Sequence, residues 1–186
     1  MSKKTAFILL ADISNFADYN LALLKLTVDR TCPNCGIVHA LHGHGSYLRQ
    51  ADRQNNSTDS FNPVPIKRFI CTCCGKTSAA IPEFIPPRRW YLWVIQQAVI
   101  QAILNGKSLH WVNRKYGMAR STCRRWMESL KDRFIEHAHF LRNLPGDLGE
   151  SLLHCFKLET FWNTCFSWIS LARAMLLCHR GGLSTP

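Results

Sequence analysis

With 186 residues, 47% of them hydrophobic, the chain is long enough for one ordinary domain or two small ones and can bury a core. No stretch reaches the roughly 18 consecutive apolar residues of a membrane-spanning helix, and the opening MSKKTAFILLADIS has too short an apolar run for a signal peptide; a cytoplasmic protein with no membrane partner is expected. The formal net charge of +11 argues against an acidic, solvating chain and points to a polyanionic partner, nucleic acid before anionic lipid.

In chain order, residues 1–30 read as a helical lead-in, with Leu21, Leu24 and Val28 at helical spacing. Residues 31–85 are punctuated by Cys, Gly and Pro and carry short strand-like runs, IKRFI and KTSAAIP, on either side of a cysteine group. Ahead of IKRFI, ADRQNNSTDSFNP is a polar loop, and PEFIPPRRW at the end of the region is a proline-marked linker. From about Tyr91 the pattern is helical almost to the end, broken at NLPGDLG. Charge is concentrated in residues 86–142, where eleven Lys and Arg against three acids leave +8.

The cysteines form two matching groups, CPNCG at 32–36 and CTCCG at 71–75. In a reducing compartment, nine cysteines favour metal ligands or small buried hydrophobes over disulfides. Both groups read C-x-x-C-G if Cys71 pairs with Cys74. That spacing lets two thiolates converge on one cation, and the glycine allows a positive φ in the tight turn. Cys32, Cys35, Cys71 and Cys74 then make a closed structural Zn2+ site, and the 35 intervening residues leave room for a hairpin: a zinc ribbon. Cys73 is the spare. The alternatives are that Cys73 replaces Cys71 or Cys74, or that the group is a redox pair. A redox C-x-x-C should open a helix, whereas KTSAAIP looks like a returning strand. His39, His42 and His44 lie close enough in sequence to replace a thiolate, but four cysteines already close the site.

Residues 107–126, KSLHWVNRKYGMARSTCRRW, read as two short helices joined by a glycine turn. Ser108 caps a helix over Leu109–Tyr116, Gly117 ends it, and a second helix starts near Arg120 or Ser121. Val112, Met118, Cys123 and Trp126 can pack the pair together, with the apolar LWVIQQAVIQAIL (92–104) behind. On a helix-turn-helix plan the second helix enters the major groove, so Arg120, Ser121, Thr122, Arg124 and Arg125 face base edges or phosphate. Lys107, Arg114 and Lys115 hold the backbone. The plainer alternative is an amphipathic hairpin with solvated arginines. Asn113 departs from the motif, which usually has a small residue there.

CPNCG, HGHGSYLRQ, IKRFICTCCGKTSAAIPEFIPPRRWYLW and ARSTCRRW together resemble small insertion-sequence proteins, transposase-associated chains with an N-terminal zinc ribbon and a helix-turn-helix. The resemblance runs over about residues 30–180, and its most specific parts are His44, Gly45, Tyr47 and Arg49, the paired knuckles and PPRRWYLW. It implies zinc on Cys32, Cys35, Cys71 and Cys74 and DNA contact through the 120–126 helix.

Strand cutting needs carboxylates on metal ions. Twelve acids are present, but no three form a plausible constellation, and Asp147 and Glu150 read as loop residues that cap the next helix. No enzyme is expected. Cys155, Leu158, Trp162, Cys165, Ile169, Ala172 and Leu176 follow a 3-4 spacing along one C-terminal helix. They pack against the helix pair or form a homodimer face. The expected fold is α+β, a small β zinc ribbon followed by an all-α helix-turn-helix region: lead-in 1–30, ribbon 31–85, helix-turn-helix 86–142 and C-terminal helix 143–186. The expected function is zinc-dependent binding of double-stranded DNA by a nucleoid-associated protein of a mobile element, at element ends or its own promoter. The alternatives are an interaction module that docks a separate transposase or recombinase, and a subunit or remnant of a transposase.

Overall fold

The computed structural model describes residues 7–10, 13, 16–50, 63–86 and 91–183. Most of the polar loop (51–62) and the PRRW end of the linker (87–90) lie outside the described residues. The protein is α+β and divides into two compact units, residues 1–92 and 93–186.

The first unit is built on a four-stranded sheet ordered β1-β4-β3-β2, from β1 Phe7–Leu10, β2 Leu41–Arg49, β3 Val64–Cys71 and β4 Thr77–Pro82. β2, β3 and β4 run antiparallel in sequence, while β1 joins β4 in parallel. The lead-in is therefore not wholly helical: Phe7–Leu10 is an edge strand, and α1 begins at Phe16 and ends at Asp29. Four apolar residues are too few to show a helical or a strand period, so β1 has no signature of its own.

The inward face of α1 is not the one that carries Leu21 and Leu24. Leu21 and Leu24 are 55% and 65% exposed, whereas Tyr19 and Leu23 are buried and Ala22 and Leu26 pack beside them. Leucines occur almost all round this helix, and Tyr19 decides which side turns inward. Its hydroxyl donates to the Ala80 carbonyl and accepts from the Lys67 N–H, both at 3.0 Å. The β3–β4 register pairs Arg68 with Ala79. Lys67 and Ala80 would come next, and the Tyr19 oxygen takes the place of that rung. Buried backbone polar groups are rarely left unpaired, so this hydroxyl fixes α1 to one face of the sheet.

That face holds Leu10, Leu41, Phe69, Cys71 and Ala80 under α1. The opposite face holds Val64, Ile66, Ala79 and Ile81, covered by Phe84, Ile85 and Leu92. β2 is almost entirely exposed and is irregular between Gly43 and Ser46, where Gly45 has φ 77°.

The second unit is all helical: α2 Trp93–Leu104, α3 Leu109–Tyr116, α4 Arg120–Asp132, α5 Phe134–Arg142, α6 Asp147–Leu152, α7 Leu158–Trp168 and α8 Leu171–Arg180. The apolar α2 packs against α3, α4, α7 and α8. Phe161, Trp162 and Phe166 of α7 form an aromatic centre, with Phe134 and the buried His137 of α5 edge-on to it.

The C-terminal segment is three helices rather than one. Ile169 is extended, and the Ser170 hydroxyl accepts from the Arg173 N–H to start α8 afresh. Cys155, Trp162, Cys165 and Leu176 are buried, but they sit on separate elements that converge on a common interior. A continuous 3-4 spacing therefore ran across two breaks. Asp147 and Glu150 lie inside the first turn of α6 rather than in a loop.

Candidate metal centre and basic helix pair

The two cysteine groups fold as near copies of each other. In the first, the Cys32 N–H donates to the Ile37 carbonyl (3.0 Å) and the Gly36 N–H to the Cys32 carbonyl (2.8 Å). In the second, the Cys71 N–H donates to Lys76 (3.0 Å) and the Gly75 N–H to Cys71 (2.9 Å). Gly36 and Gly75 have φ of 73° and 67°, a region where a Cβ is costly. Backbone amides also point at sulfur: Asn34 N–H lies 3.4 Å from Cys32 Sγ, and Cys74 N–H lies 3.5 Å from Cys71 Sγ.

This geometry brings Cys32, Cys35, Cys71 and Cys74 together, with all four sulfurs within 4.8 Å of one another. Cys32 and Cys74 Sγ are 3.8 Å apart, and Cys35 and Cys71 Sγ are 3.7 Å apart. A disulfide needs about 2.05 Å, and all four cysteines are free. A tetrahedral metal with metal–sulfur bonds of about 2.3 Å holds its sulfurs about 3.8 Å from one another. The spacing therefore fits four thiolates around one ion, and the cluster could hold a metal.

Cys32 and Cys71 are buried in the α1-side core, Cys74 is half-buried and Cys35 is exposed. Burial raises the Cys32 thiol, but the Cys35 and Asn34 N–H groups and the neighbouring thiols bring it down to about 6. Cys35 goes the other way: the Ile37 N–H favours its thiolate, but local desolvation of the sulfur and the adjacent Cys32, Cys71 and Cys74 sulfurs together outweigh it and push the thiol up to about 12. Cys73 is exposed and outside the cluster. His42 and His44 are exposed on β2, His39 sits in a turn at φ 60°, and among the described residues no histidine joins the four sulfurs.

The remaining cysteines, Cys123, Cys155, Cys165 and Cys178, are buried in the helical unit. Burial pushes Cys165 up to about 12, helped by Cys178, and pushes Cys178 to about 12 as well. These are inert core thiols rather than nucleophiles.

In the second unit the bounds of α3 follow its caps. The Ser108 hydroxyl accepts from the Trp111 N–H at 3.2 Å, and Gly117 closes the helix in the left-handed region at φ 66°. Residues 117–119 connect it to α4, which begins at Arg120. Val112, Met118, Cys123 and Trp126 are all buried and lock the pair. The Asn113 side chain donates to the Met118 carbonyl at 2.7 Å. That bond satisfies the connecting turn and gives the unusual Asn113 a structural role, which its residue type alone did not reveal.

Arg120, Ser121, Arg124 and Arg125 lie exposed on the side of α4 opposite Cys123, Trp126, Met127 and Leu130. Thr122 is half-buried, and its hydroxyl accepts from Arg125 at 3.4 Å. Lys107, Arg114 and Lys115 are exposed on or just before α3, with the Lys107 ammonium 5.6 Å from the centre of the Trp111 ring. Among the described residues Arg114, Lys115, Arg120 and Arg124 have no ion-pair partner.

The chain is thus an α+β protein that joins a four-cysteine candidate metal centre to an all-helical unit with a basic helix pair, α3 and α4. It belongs to the family described as domain of unknown function (DUF6431), which it matches over residues 32–126. That span opens on Cys32, the first sulfur of the cluster, and closes on Trp126 of α4, so both knuckles, α3 and α4 up to Trp126 fall within it. No curated protein and no solved structure matches the chain.

Proposed function

We propose that this protein is a zinc-dependent reader of double-stranded DNA, with α4 as the helix that enters the major groove. The observation that carries the reading is the set of exposed cations that pair with no acid on the packed α3–α4 pair. Cations that neutralise no protein acid are free to displace counterions from a phosphate backbone. A helix whose opposite side is fully packed can hold Arg120, Ser121, Arg124 and Arg125 in a fixed register for base edges. Arg114 and Lys115, in the last turn of α3, supply sequence-independent backbone contacts.

In this reading the metal is structural. Four thiolates select a soft or borderline ion and complete a tetrahedral shell, with no open position for catalysis. Zinc suits the set because it needs no redox chemistry, and its binding free energy would support the small sheet into which Cys32 and Cys71 are packed. The role is recognition, not strand cutting. The mobile-element setting, at element ends or a promoter, belongs to the same proposal and rests on the sequence resemblance alone. A second reading, an interaction module for a separate recombinase or for a second copy of the chain, draws on the exposed Ile135, Leu153 and Phe156 around a groove of about 520 Å³.

The test is selection from a randomised duplex pool with zinc-loaded protein, followed by fluorescence anisotropy on the selected and scrambled duplexes. Arg120→Ala or Arg124→Ala should narrow the preference for the selected duplex by about 1–3 kcal/mol per lost base contact. Lys115→Ala should weaken both duplexes alike. Equal effects on both duplexes from every variant would remove the base-reading assignment.

A further inference from the structure

The exposed face of α4 carries two residues of the wrong sign for a purely electrostatic surface, Glu128 among the arginines and Asp132 at the helix end. Glu128 is exposed one turn beyond Arg124, on the side away from Trp126, Met127 and Leu130. It is the ninth residue of the helix, about 12 Å along the axis from Arg120. A face that met only phosphate would be weakened by a carboxylate at that point, because like charges repel.

Nor is Glu128 used to neutralise Arg124. The two stand at i and i+4, but with the arginine N-terminal, which is the less favourable order for a helical pair. Neither has an ion-pair partner among the described residues. Both carboxylate oxygens remain available as acceptors, and the Arg124 guanidinium keeps its five donors.

We infer that Glu128 is a specificity-determining residue that accepts a hydrogen bond from the exocyclic amino group of a cytosine in the major groove. The inference rests on the proposed DNA-reading role of α4. A carboxylate has no donor, so it can bind neither phosphate nor an acceptor on a base edge. Only the cytosine N4 and adenine N6 amino groups donate in the major groove, and the adenine amino lies beside the N7 acceptor, which repels a carboxylate. Arg124 is matched to the complementary pattern, the two acceptors of guanine. Four residues of helix rise about 6 Å, and base pairs stack at about 3.4 Å. The guanine read by Arg124 and the cytosine read by Glu128 should therefore lie about two base pairs apart.

The experiment repeats the duplex selection with full-length, zinc-loaded wild-type protein, Glu128→Ala, Glu128→Gln and Arg124→Ala, with thermal unfolding of each as a control for folding. The wild-type motif should contain the cytosine. Glu128→Ala should lose preference at that base pair alone, by roughly 10-fold or more in relative affinity. Glu128→Gln should shift the preference there towards adenine, which an amide reads bidentately. If Glu128→Ala instead tightens binding to every duplex with the motif unchanged, the carboxylate only repels phosphate and the inference falls. It falls equally if Glu128→Ala changes neither motif nor affinity. Failure of the underlying reading looks different: Arg124→Ala would then leave the motif unchanged as well.

Discussion

Replacing Tyr19 by phenylalanine removes one oxygen from the middle of the first unit and leaves the ring in place. No cavity larger than a hydroxyl forms, so the cost is that of the two backbone groups it served, the Ala80 carbonyl and the Lys67 N–H, each 3.0 Å away. Ala80 is fully buried, and its carbonyl loses this partner outright. Lys67 is exposed, so its N–H can turn to water. A buried polar group left unsatisfied costs about 1–3 kcal/mol, and Tyr19→Phe should therefore destabilise the first unit by about 2 kcal/mol. Urea unfolding followed by far-UV circular dichroism, with zinc saturating in both proteins, measures this without a contribution from metal linkage. The difference should also change with pH. Burial raises the Tyr19 phenol above its ordinary 10.0, with the Lys67 N–H opposing and Tyr47 adding to the rise. The folded state thus favours the protonated phenol, and the tyrosine's stabilisation is complete below pH 10 and declines as pH rises beyond it. Phenylalanine does not titrate, so the gap between the two proteins should shrink above pH 10. A gap under about 0.5 kcal/mol at neutral pH would refute the role assigned to this hydroxyl.

Three further outcomes test other parts of the account. Metal analysis by mass spectrometry under native conditions should find one zinc per chain; Cys32→Ser should lose it and unfold the first unit, whereas Cys73→Ser should retain full occupancy, and equal losses from both would remove Cys73 from its role as the spare. Asn113→Ala should destabilise the helical unit by about 1 kcal/mol through the lost Met118 bond, and a melting temperature at or above the wild-type value would show that a small residue in this position serves the turn as well. Gly149→Ala places a methyl 2.1 Å from the Leu144 carbonyl oxygen, a backbone clash that should cost about 3 kcal/mol or more, and unchanged urea unfolding would contradict the close approach of α6 to that backbone.

The parts of the molecule that could be read from the sequence are those where chemistry and conformation coincide in a few adjacent residues. C-P-N-C-G and C-T-C-C-G each encode paired sulfurs and a glycine at the position where φ turns positive, so the clustered cysteines and the tight turn follow together. Ser108 and Gly117 bracket α3 in the same way, one by an acceptor oxygen and the other by a left-handed φ. What escaped was whatever depends on distant partners. Phe7–Leu10 is a strand only because β4 offers it a free edge. The inward face of α1 is chosen by a tyrosine hydroxyl that bonds to β3 and β4, not by the leucine spacing. The C-terminal breaks at 153–157 and 169–170 interrupt an apolar spacing that continues on both sides, because several short helices share one core.

The central claim is that α4 reads base sequence on a metal-supported fold, and the ratio of affinities for the selected and a scrambled duplex tests it most directly. At fixed, near-physiological salt the zinc-loaded protein should prefer the selected duplex by about 10³-fold or more, and the preference should vanish once the metal is removed by chelation. Near-equal affinities that fall together as salt is raised would contradict the claim and leave the basic helices as an electrostatic anchor only.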